Sequence, residues 1–231
     1  MCAPIPRNPQ PDHRVVALRP SLADGAGVSA EYAALDERLA VRAPAGVPLE
    51  HAAALPPAAL TAEQALDRPG PGFAGRLLVC GAAGAVGGYL VRPAALRGLH
   101  PAALARPGDA EAVRGLGAPE VFTGAAPPPA GAYDAVIDAA GRPRTVQAVR
   151  DGGRCVSLTP FAVPDPERSV DAEVYGVRTD PAMLDTPARR VEDGHPALRI
   201  ARVLPFEEAP RAHALPEAGG TRGKIVLTPG S

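Results

Sequence analysis

The stretch at 75–106 constrains the fold of this chain more than any other, and its sequence is GRLLVCGAAGAVGGYLVRPAALRGLHPAALAR. Its residues at 76–80 are mostly apolar and lie between two glycines, which predicts a short buried strand. A glycine-rich turn with the pattern GxxGxxG follows at Gly81, Gly84 and Gly87. The remaining residues predict a helix and then a second strand that ends at residue 106.

This order of strand, glycine-rich turn, helix and strand is typical of a dinucleotide-binding βαβ unit. Gly81 then allows a sharp turn, Gly84 lets the backbone approach a pyrophosphate, and Gly87 lets the helix pack close to the strand. The backbone N–H groups of Ala85 and Val86 begin the helix and face the anion. Because the chain has 25 glycines, the spacing alone also fits a plain alanine and glycine turn, and it is the flanking strands that favour a nucleotide site.

Composition excludes several functional classes. The chain has 231 residues, of which 46% are hydrophobic, and this is enough for one medium domain or one and a half. Its formal net charge of -1 gives no reason to expect a nucleic-acid groove or an anionic membrane surface as a partner. The sequence contains neither a GxSxG nor an HExxH motif, which argues against a serine hydrolase and a zincin.

The cysteines and the first residues indicate a cytoplasmic protein. Cys2, Cys80 and Cys155 are far apart and form no CxxC pair, which argues against a zinc ribbon or a disulfide framework and fits a reducing compartment. Residues 1–14 have no apolar core of a secretion signal, and no stretch approaches about 18 uninterrupted apolar residues. We therefore expect a soluble cytoplasmic protein that holds no metal.

The first sixty residues predict a lead-in and a small β piece. Residues 1–12 are rich in proline and polar side chains, and we expect them to be disordered. Residues 13–60 carry two predicted strands, at 14–18 and 28–35, joined by a turn at 25–27. Two such strands cannot fold alone, so this piece must pack on another part of the chain.

Residues 61–195 predict a Rossmann-type domain. A capping box at Thr61 and Gln64 begins a helix that ends at Leu66. After the βαβ unit the pattern predicts strands at 119–123, 133–141, 152–158 and 171–177, and helices at 109–116 and 181–193. Strands separated by helices indicate an α/β fold with a doubly wound parallel sheet, whose ligands lie at the carboxyl ends of the strands. Those ends fall at 81–86, 106, 139–141 and 157–159.

The last segment, 196–231, has a different character. It predicts a strand at 198–204, a helix at 206–218 and a strand at 219–227, which we expect to rejoin the N-terminal strands as a second lobe. Prolines interrupt the helical pattern at Pro93, Pro187, Pro196 and Pro216. An interior proline costs a helix about 3 kcal/mol, so we expect a kinked or shortened helix at Pro93 at least.

Several segments agree in order and spacing with a known family: DHRVVAL, AEYAAL, LEHAAALPPAALTAEQAL, LLVCGAAGAVGGYLV, YDAVIDAAG, GGRCVSL and RGKIVL. Through these segments the chain resembles the zinc-free quinone oxidoreductase branch of the medium-chain dehydrogenase/reductase superfamily. The resemblance implies a GroES-like β lobe, a Rossmann cofactor domain, NADPH as the hydride donor and a homodimer joined through the edge strand at 171–177. Family members carry a longer segment before the part that matches His13, so the resemblance also implies a truncated, reduced substrate lobe.

Arg106 bears on the choice of cofactor. It stands 19 residues after Gly87, where NAD-binding units carry an acidic residue for the ribose 2′-hydroxyl. An arginine can pair instead with the 2′-phosphate of NADP, which favours NADPH as the cofactor. The alternative interpretation of Arg106 is a solvated loop residue without a role in binding. By analogy with the family, Ala140 and Leu158 flank the nicotinamide and Thr61 lies beside it, although a simple N-cap explains Thr61 equally well.

No residue stands out as a catalytic acid. Tyr32 and His51 lie in the 13–60 piece and are only candidates, because a strand-packing tyrosine and a surface histidine explain them better. Asp134 and Asp138 lie on the same side of one predicted strand. Asp138, at the end of that strand, is better explained as a structural or loop-capping carboxylate than as a general base.

The sequence therefore predicts an NADPH-dependent oxidoreductase that reduces a quinone or a conjugated carbonyl by direct hydride transfer without a metal. The alternative is a truncated family member without reductase activity. Such a protein acts as a nucleotide-binding or interaction module, or catalyses a non-redox reaction. Binding of NADPH with turnover favours the first hypothesis, and binding without turnover favours the second.

Overall fold

The apolar strand predicted at 76–80 lies at the centre of a six-stranded sheet in the computed structural model of the chain. The structure describes residues 10, 12–19, 29–160, 168–194 and 198–229. The chain divides into two compact units, which we call the sheet unit, Thr61–Val177, and the split unit, Met1–Leu60 with Arg178–Ser231. Most of the lead-in predicted at 1–12, the turn at 25–27 and Pro196 lie outside the described residues.

The regular elements are numbered in chain order. The strands are β1 (Val15–Ala17), β2 (Ala40–Arg42), β3 (Arg76–Cys80), β4 (His100–Leu104), β5 (Glu120–Phe122), β6 (Tyr133–Asp138), β7 (Val149–Ser157), β8 (Asp171–Val174), β9 (Ile200–Pro205) and β10 (Lys224–Thr228). The α-helices are α1 (Leu49–Ala52), α2 (Leu55–Asp67), α3 (Ala85–Leu96), α4 (Ala110–Gly115), α5 (Asp185–Glu192) and α6 (Ala209–Glu217). Short 3-10 helices cover Glu37–Leu39, Pro107–Asp109, Pro143–Ala148, Pro181–Leu184 and Phe206–Glu208.

The sheet unit contains the predicted parallel sheet. Its strand order is β5-β4-β3-β6-β7-β8 and every neighbouring pair is parallel. The order reverses direction between β3 and β6, as it does in doubly wound nucleotide-binding sheets, so the Rossmann-type prediction is confirmed. Residues 77–80 of β3 are fully buried, which explains why this strand is a continuous apolar run rather than an alternating one.

The split unit contains two small sheets. β1 and β2 pair antiparallel, whereas β9 and β10 pair parallel on either side of α6. The strand predicted at 28–35 is wrong over its described part, because residues 29–35 form no strand and are all exposed. The partner of β1 is instead β2, which follows a 3-10 helix capped by Asp36, whose side chain accepts from the backbone N–H of Arg38.

Helix α2 begins six residues before Thr61, so the predicted capping box is wrong. Pro56 and Pro57 occupy the first turn of α2. A helix makes no internal bond from its first backbone N–H groups, so a proline there loses nothing. The N–H of Ala58 is already engaged, donating to the Ala54 carbonyl at 3.4 Å.

Position within the helix also decides the effect of the other prolines. α3 continues through Pro93 to Leu96, so the predicted shortening at Pro93 is wrong. Pro93 lies in the last turn and is buried, and the Arg97 N–H still donates to its carbonyl at 3.0 Å. Pro187 falls in the first turn of α5, because the first four residues predicted for that helix form a 3-10 turn. Pro216 is the penultimate residue of α6.

A charged network fixes the edge strand β8 to its neighbours. The Glu173 carboxylate accepts from Arg68 Nε at 2.8 Å and from Arg154 Nη2 at 3.2 Å. Arg154 also donates to Asp171 at 2.6 Å, and the Arg68 guanidinium lies 5.0 Å above the centre of the Tyr175 ring. The hydrogen bond from Arg68, followed by that from Arg154, lowers the pKa of Glu173 below its ordinary value.

Glu173→Gln is expected to lower the free energy of unfolding by about 1–2 kcal/mol at pH 7. Because the folded-state pKa of Glu173 is lowered, this stabilisation is present above the ordinary value of 4.5 and is lost as the pH falls below it. Urea unfolding at pH 7 and near pH 3 measures the effect, and a difference that persists undiminished at low pH contradicts it. Glu111→Gln is the control, since Glu111 is an exposed carboxylate on α4 in the same unit.

Candidate nucleotide site at the carboxyl edge of the sheet

The turn after β3 depends on Gly81. This residue has a φ of 75°, in the left-handed region that favours glycine. A Cβ at this position would lie 2.8 Å from the Cβ of Ala140, so a side chain would also collide with the loop after β6. The Gly81 N–H donates to the Leu104 carbonyl at the end of β4 at 3.0 Å. The sharp turn predicted for Gly81 is therefore present.

Gly84 and Gly87 bring the start of α3 close to this turn. Gly84 is the N-cap of α3, and its N–H donates to the Gly81 carbonyl at 2.9 Å. A Cβ on Gly87 would lie 2.3 Å from the Gly81 carbonyl oxygen, a distance that real Cβ atoms do not show. Close helix–strand packing at Gly87 is thus a property of the structure, as the sequence predicts.

The first turn of α3 presents backbone donors at the edge of the sheet. The N–H groups of Ala85 and Val86 belong to the first helical turn, whose donors have no intrahelical acceptor. The N-cap Gly84 has no side chain to satisfy them. A helix of 12 residues also concentrates partial positive charge at this end. The arrangement suits a phosphate group.

The register of the sheet aligns the predicted site segments. Cys80 pairs with Leu104 on one side and with Asp138 on the other, and Asp138 pairs with Ser157. The residues that follow these strand ends therefore leave the sheet along one edge. They include Gly81, Ala140 and Leu158, three of the predicted cofactor-binding residues.

Asp138 holds the loop after β6. Its side chain is 2% exposed. One carboxylate oxygen accepts from the Ala140 N–H at 2.9 Å and the other accepts from the Arg142 N–H. Both oxygens are engaged by the backbone, as expected of a loop-capping carboxylate rather than a general base. Asp134 likewise accepts from the Arg76 N–H at 2.8 Å and from Arg150 Nε at 2.7 Å.

Arg106 lies just beyond the end of β4. The strand ends at Leu104, two residues earlier than predicted, because Pro107 forces the chain into the 3-10 helix at Pro107–Asp109. Arg106 is exposed, and within the described part of the chain its guanidinium makes no hydrogen bond or ion pair. Its positive charge is therefore available at the same edge of the sheet as the start of α3.

Three comparisons place this geometry among known proteins. A family model described as zinc-binding dehydrogenase matches residues 116–227. A chloroplast envelope quinone oxidoreductase homolog from Arabidopsis thaliana is 34% identical over 186 residues, which are 75% of this chain and 51% of that protein. These matches support a quinone oxidoreductase-like protein of the medium-chain dehydrogenase/reductase superfamily. The chain spans about half the length of the curated relatives it matches.

Two further similar proteins bear on the cofactor. A chloroplastic NADPH-dependent alkenal/one oxidoreductase from Arabidopsis thaliana is 29% identical over 211 residues, covering 88% of this chain and 53% of that protein. The crystal structure of an NAD-dependent alcohol dehydrogenase superposes with a TM-score of 0.76 at 27% identity, covering 88% of this chain and 66% of the other. The two named cofactors differ in the 2′-phosphate.

The structure places the remaining predicted site residues outside the loops that follow the strands. Thr61 is half-buried within α2, in the sheet unit. Tyr32 is 90% exposed and His51 is exposed at the end of α1, both in the split unit. In the part of the chain that the structure describes, no group of three or more histidine, cysteine, aspartate or glutamate side chains could hold a metal ion. No described helix is long and apolar enough to span a membrane.

The sequence places Ser157 at a strand end of the predicted site, but sequence reasoning assigned no role to it. This residue ends β7 and is 1% exposed, and its hydroxyl donates to the Thr159 carbonyl at 3.1 Å. It thereby shapes the turn that carries Leu158, whose own N–H donates to the Asp138 carbonyl at 2.8 Å. The available signal was a hydroxyl residue directly after two apolar residues, Cys155 and Val156, at the end of the strand.

Proposed function

We propose that this chain is an oxidoreductase that binds NADPH at the carboxyl edge of its sheet and reduces a quinone or a conjugated carbonyl by direct hydride transfer without a metal. The observation that carries the proposal is the close approach of Gly87 to Gly81, which brings the first turn of α3 to the point where the strand order reverses. The names of the matched quinone and alkenal/one oxidoreductases support the substrate class.

The residues at this edge fit a dinucleotide. Gly81 and Gly84 have no side chains, which lets a pyrophosphate approach the backbone of the turn. The N–H groups of Ala85 and Val86 bind that group, while Ala140 and Leu158 flank the nicotinamide ring. When bound, the reduced nicotinamide supplies the hydride. Asp138 and Ser157 hold the two flanking loops in place through the hydrogen bonds described above.

The chemistry is tested by measuring NADPH and NADH binding through nucleotide fluorescence and turnover with a panel of quinones and enones. Saturable NADPH binding with oxidation that depends on an acceptor supports the proposal. Failure to bind either nucleotide overturns the cofactor site itself. Oxidation that is abolished by chelators and restored by zinc overturns the metal-free part.

Arg106→Ala is expected to weaken NADPH binding about tenfold to a hundredfold and to change NADH binding little, because only NADPH carries the 2′-phosphate. The ratio of the two dissociation constants is the measurement. Arg114→Ala is the control, since Arg114 is exposed on α4 in the same unit. An equal loss of affinity for both nucleotides contradicts the assigned role.

A second function is a nucleotide-binding module without reductase activity. Asp138 is the buried carboxylate at the end of β6, and the backbone engages both of its oxygens. This carboxylate is held by the loop and is not free to act as a proton donor, which supports a protein that binds a nucleotide without reducing an acceptor. Tight NADPH binding without oxidation by any acceptor in the panel favours this function.

We also propose a cytoplasmic location, which the buried free thiols of Cys80 and Cys155 support.

We propose further that two copies associate through β8. This strand ends the six-stranded sheet, and it pairs with β7 on one side alone within the described residues. The strand predicted at 171–177 ends at Val174, which is 39% exposed, and Val177, three residues further along the chain, is 38% exposed. Light scattering is expected to give twice the monomer mass of 23.5 kDa, and Val174→Lys is expected to give the monomer. Val203→Lys, at a valine 41% exposed in β9, is the control, and a monomeric wild-type chain contradicts the proposal.

A further inference from the structure

A cavity of about 460 Å³ lies at the opposite edge of the sheet from the glycine-rich turn. Its lining residues come from the end of α2, the loop before β3 and the segment between α3 and β4, all in the sheet unit. The parallel strands β3 and β4 begin here, so the cavity is separate from the candidate nucleotide site. A volume of this size is in the range that small ligands occupy in proteins.

One wall of the cavity is apolar. Leu66 and Leu99 line it, and they are 4% and 7% exposed as part of the core of the sheet unit. Phe73 is half-buried and adds an aromatic ring to this wall. An apolar ligand group placed here is therefore removed from water against side chains that are already packed.

The mouth of the cavity is a loop that its own backbone holds in shape. The Gly70 N–H donates to the Asp67 carbonyl at 3.2 Å, and the Phe73 N–H donates to the Gly70 carbonyl at 3.3 Å. Gly70 and Gly72 line the cavity, and a Cβ added to either would meet no atom beyond its chain neighbours within 4 Å. The space over their backbone is open, so a flat ring can lie against it.

The two charged residues that line the cavity neutralise each other. Arg97 Nη1 donates to Asp67 Oδ1 at 2.6 Å, so each of these charges already has its counter-ion. The other terminal nitrogen of Arg97 donates to Oε2 of Glu63, a residue outside the cavity lining, also at 2.6 Å. A charged ligand would lose water at this wall without gaining an unpaired counter-charge, which is unfavourable. The lining therefore favours an uncharged ligand.

One polar atom of the lining is open to such a ligand. Within the described residues, the Asp67 carboxylate accepts a hydrogen bond at Oδ1 alone, and its side chain is 57% exposed. Its Oδ2 can therefore accept a further hydrogen bond from a hydroxyl group. A phenol combines such a donor with a flat ring, and it is uncharged at neutral pH because its ordinary pKa is about 10.

We propose that this cavity binds an uncharged phenol, with the hydroxyl group at Asp67 and the ring against Phe73, Leu66 and Leu99. Aromatic rings attract each other in offset and edge-to-face arrangements, so Phe73 favours a ring over an aliphatic body of the same size. The assignment does not depend on the nucleotide site or on turnover, because every residue it uses lies at the other edge of the sheet.

The test uses 4-ethylphenol as the probe, with binding to the full chain followed by calorimetry. Three analogues of the same ring are the comparisons: tyramine carries an ammonium, 4-hydroxyphenylacetate carries a carboxylate, and 4-ethylanisole has no hydroxyl donor. We expect saturable binding of 4-ethylphenol at millimolar concentration, and binding of each analogue that is weaker by about threefold or more. Saturating NADPH is expected to leave probe binding unchanged, which separates this site from the proposed nucleotide site.

Two variants locate the phenol within the cavity. Phe73→Ala is expected to weaken 4-ethylphenol binding about fivefold, because the ring contact is lost. Asp67→Ala is expected to remove the preference for 4-ethylphenol over 4-ethylanisole, because the acceptor of the hydroxyl is lost. Asp151→Ala is the matched control, since the Asp151 side chain is 80% exposed in the same unit and the residue does not line the cavity.

The proposal is overturned if tyramine or 4-hydroxyphenylacetate binds as tightly as 4-ethylphenol. It is also overturned if Phe73→Ala binds 4-ethylphenol like the wild type, or if Asp67→Ala keeps the preference over 4-ethylanisole. Displacement of the probe by NADPH, or no saturable binding at millimolar 4-ethylphenol, overturns it as well.

Discussion

Gly87→Ala is expected to abolish measurable NADPH binding and to lower the free energy of unfolding by about 2–3 kcal/mol. The added Cβ would lie 2.3 Å from the Gly81 carbonyl oxygen, 2.7 Å from the Gly81 carbonyl carbon and 3.1 Å from the Cα of Ala82. All three atoms belong to the backbone, so no side-chain rotation relieves the contact. The start of α3 must move away from the turn, and the N–H groups of its first turn move with it.

Replacing glycine by alanine within a helix ordinarily raises the free energy of unfolding by about 1 kcal/mol. A loss of stability in Gly87→Ala therefore identifies the backbone contact as the cause. Gly115→Ala is the matched control. Gly115 is also helical, and a Cβ added to it would meet no other atom within 4 Å, so this variant is expected to be neutral or slightly stabilising. Urea unfolding and NADPH titration of both variants are the measurements. A Gly87→Ala protein with wild-type stability and affinity would show that close packing of Gly87 on the turn at Gly81 is not needed for nucleotide binding.

Asp138→Ala is expected to lower the free energy of unfolding by about 2–4 kcal/mol and to weaken NADPH binding. The variant leaves the N–H groups of Ala140 and Arg142 without their acceptor in a site where the carboxylate is 2% exposed. A buried donor without an acceptor costs about 1–3 kcal/mol. The loop that carries Ala140 against Gly81 then loses its fixed position, so the wall of the nucleotide site loosens.

The comparison for Asp138 is another aspartate of the sheet unit. Asp151 lies 3.4 Å from Arg168 and its side chain is 80% exposed, so Asp151→Ala is expected to change stability by less than about 0.5 kcal/mol. Chemical unfolding separates the two variants, and nucleotide titration shows whether the loop matters to the site. If Asp138→Ala unfolds at the same urea concentration as Asp151→Ala, the loop is held by something other than this carboxylate.

The sheet and its glycine-rich turn could be predicted because their residues leave few conformational alternatives. The run at 77–80 is apolar on both faces, which suits a central parallel strand and little else. Gly81 has a left-handed φ, which disfavours a side chain. A Cβ on Gly87 would contact the backbone below van der Waals distance, which excludes a side chain there. Asp138 could be assigned as a loop cap because a carboxylate at the end of a buried strand needs backbone donors.

Other features depended on information that local sequence does not contain. Residues 29–35 have the composition of an edge strand yet are exposed, whereas β2 is only three residues long and forms by pairing with β1. Thr61 and Gln64 have the spacing of a capping box, but the helix had already begun at Leu55. Pro56 and Pro57 are tolerated because they fall in the first turn of this longer helix.

The prolines in the first turns of α2 and α5 have a consequence in the unfolded chain. The ring of a proline restricts φ, so Pro56, Pro57 and Pro187 reduce the number of conformations that the chain loses when it folds. At positions that accept the ring without strain, each such restriction is worth about 0.4–1 kcal/mol. In a chain with 29 prolines, part of the stability of the native state thus comes from the low entropy of the denatured ensemble, which no contact in the folded protein reveals.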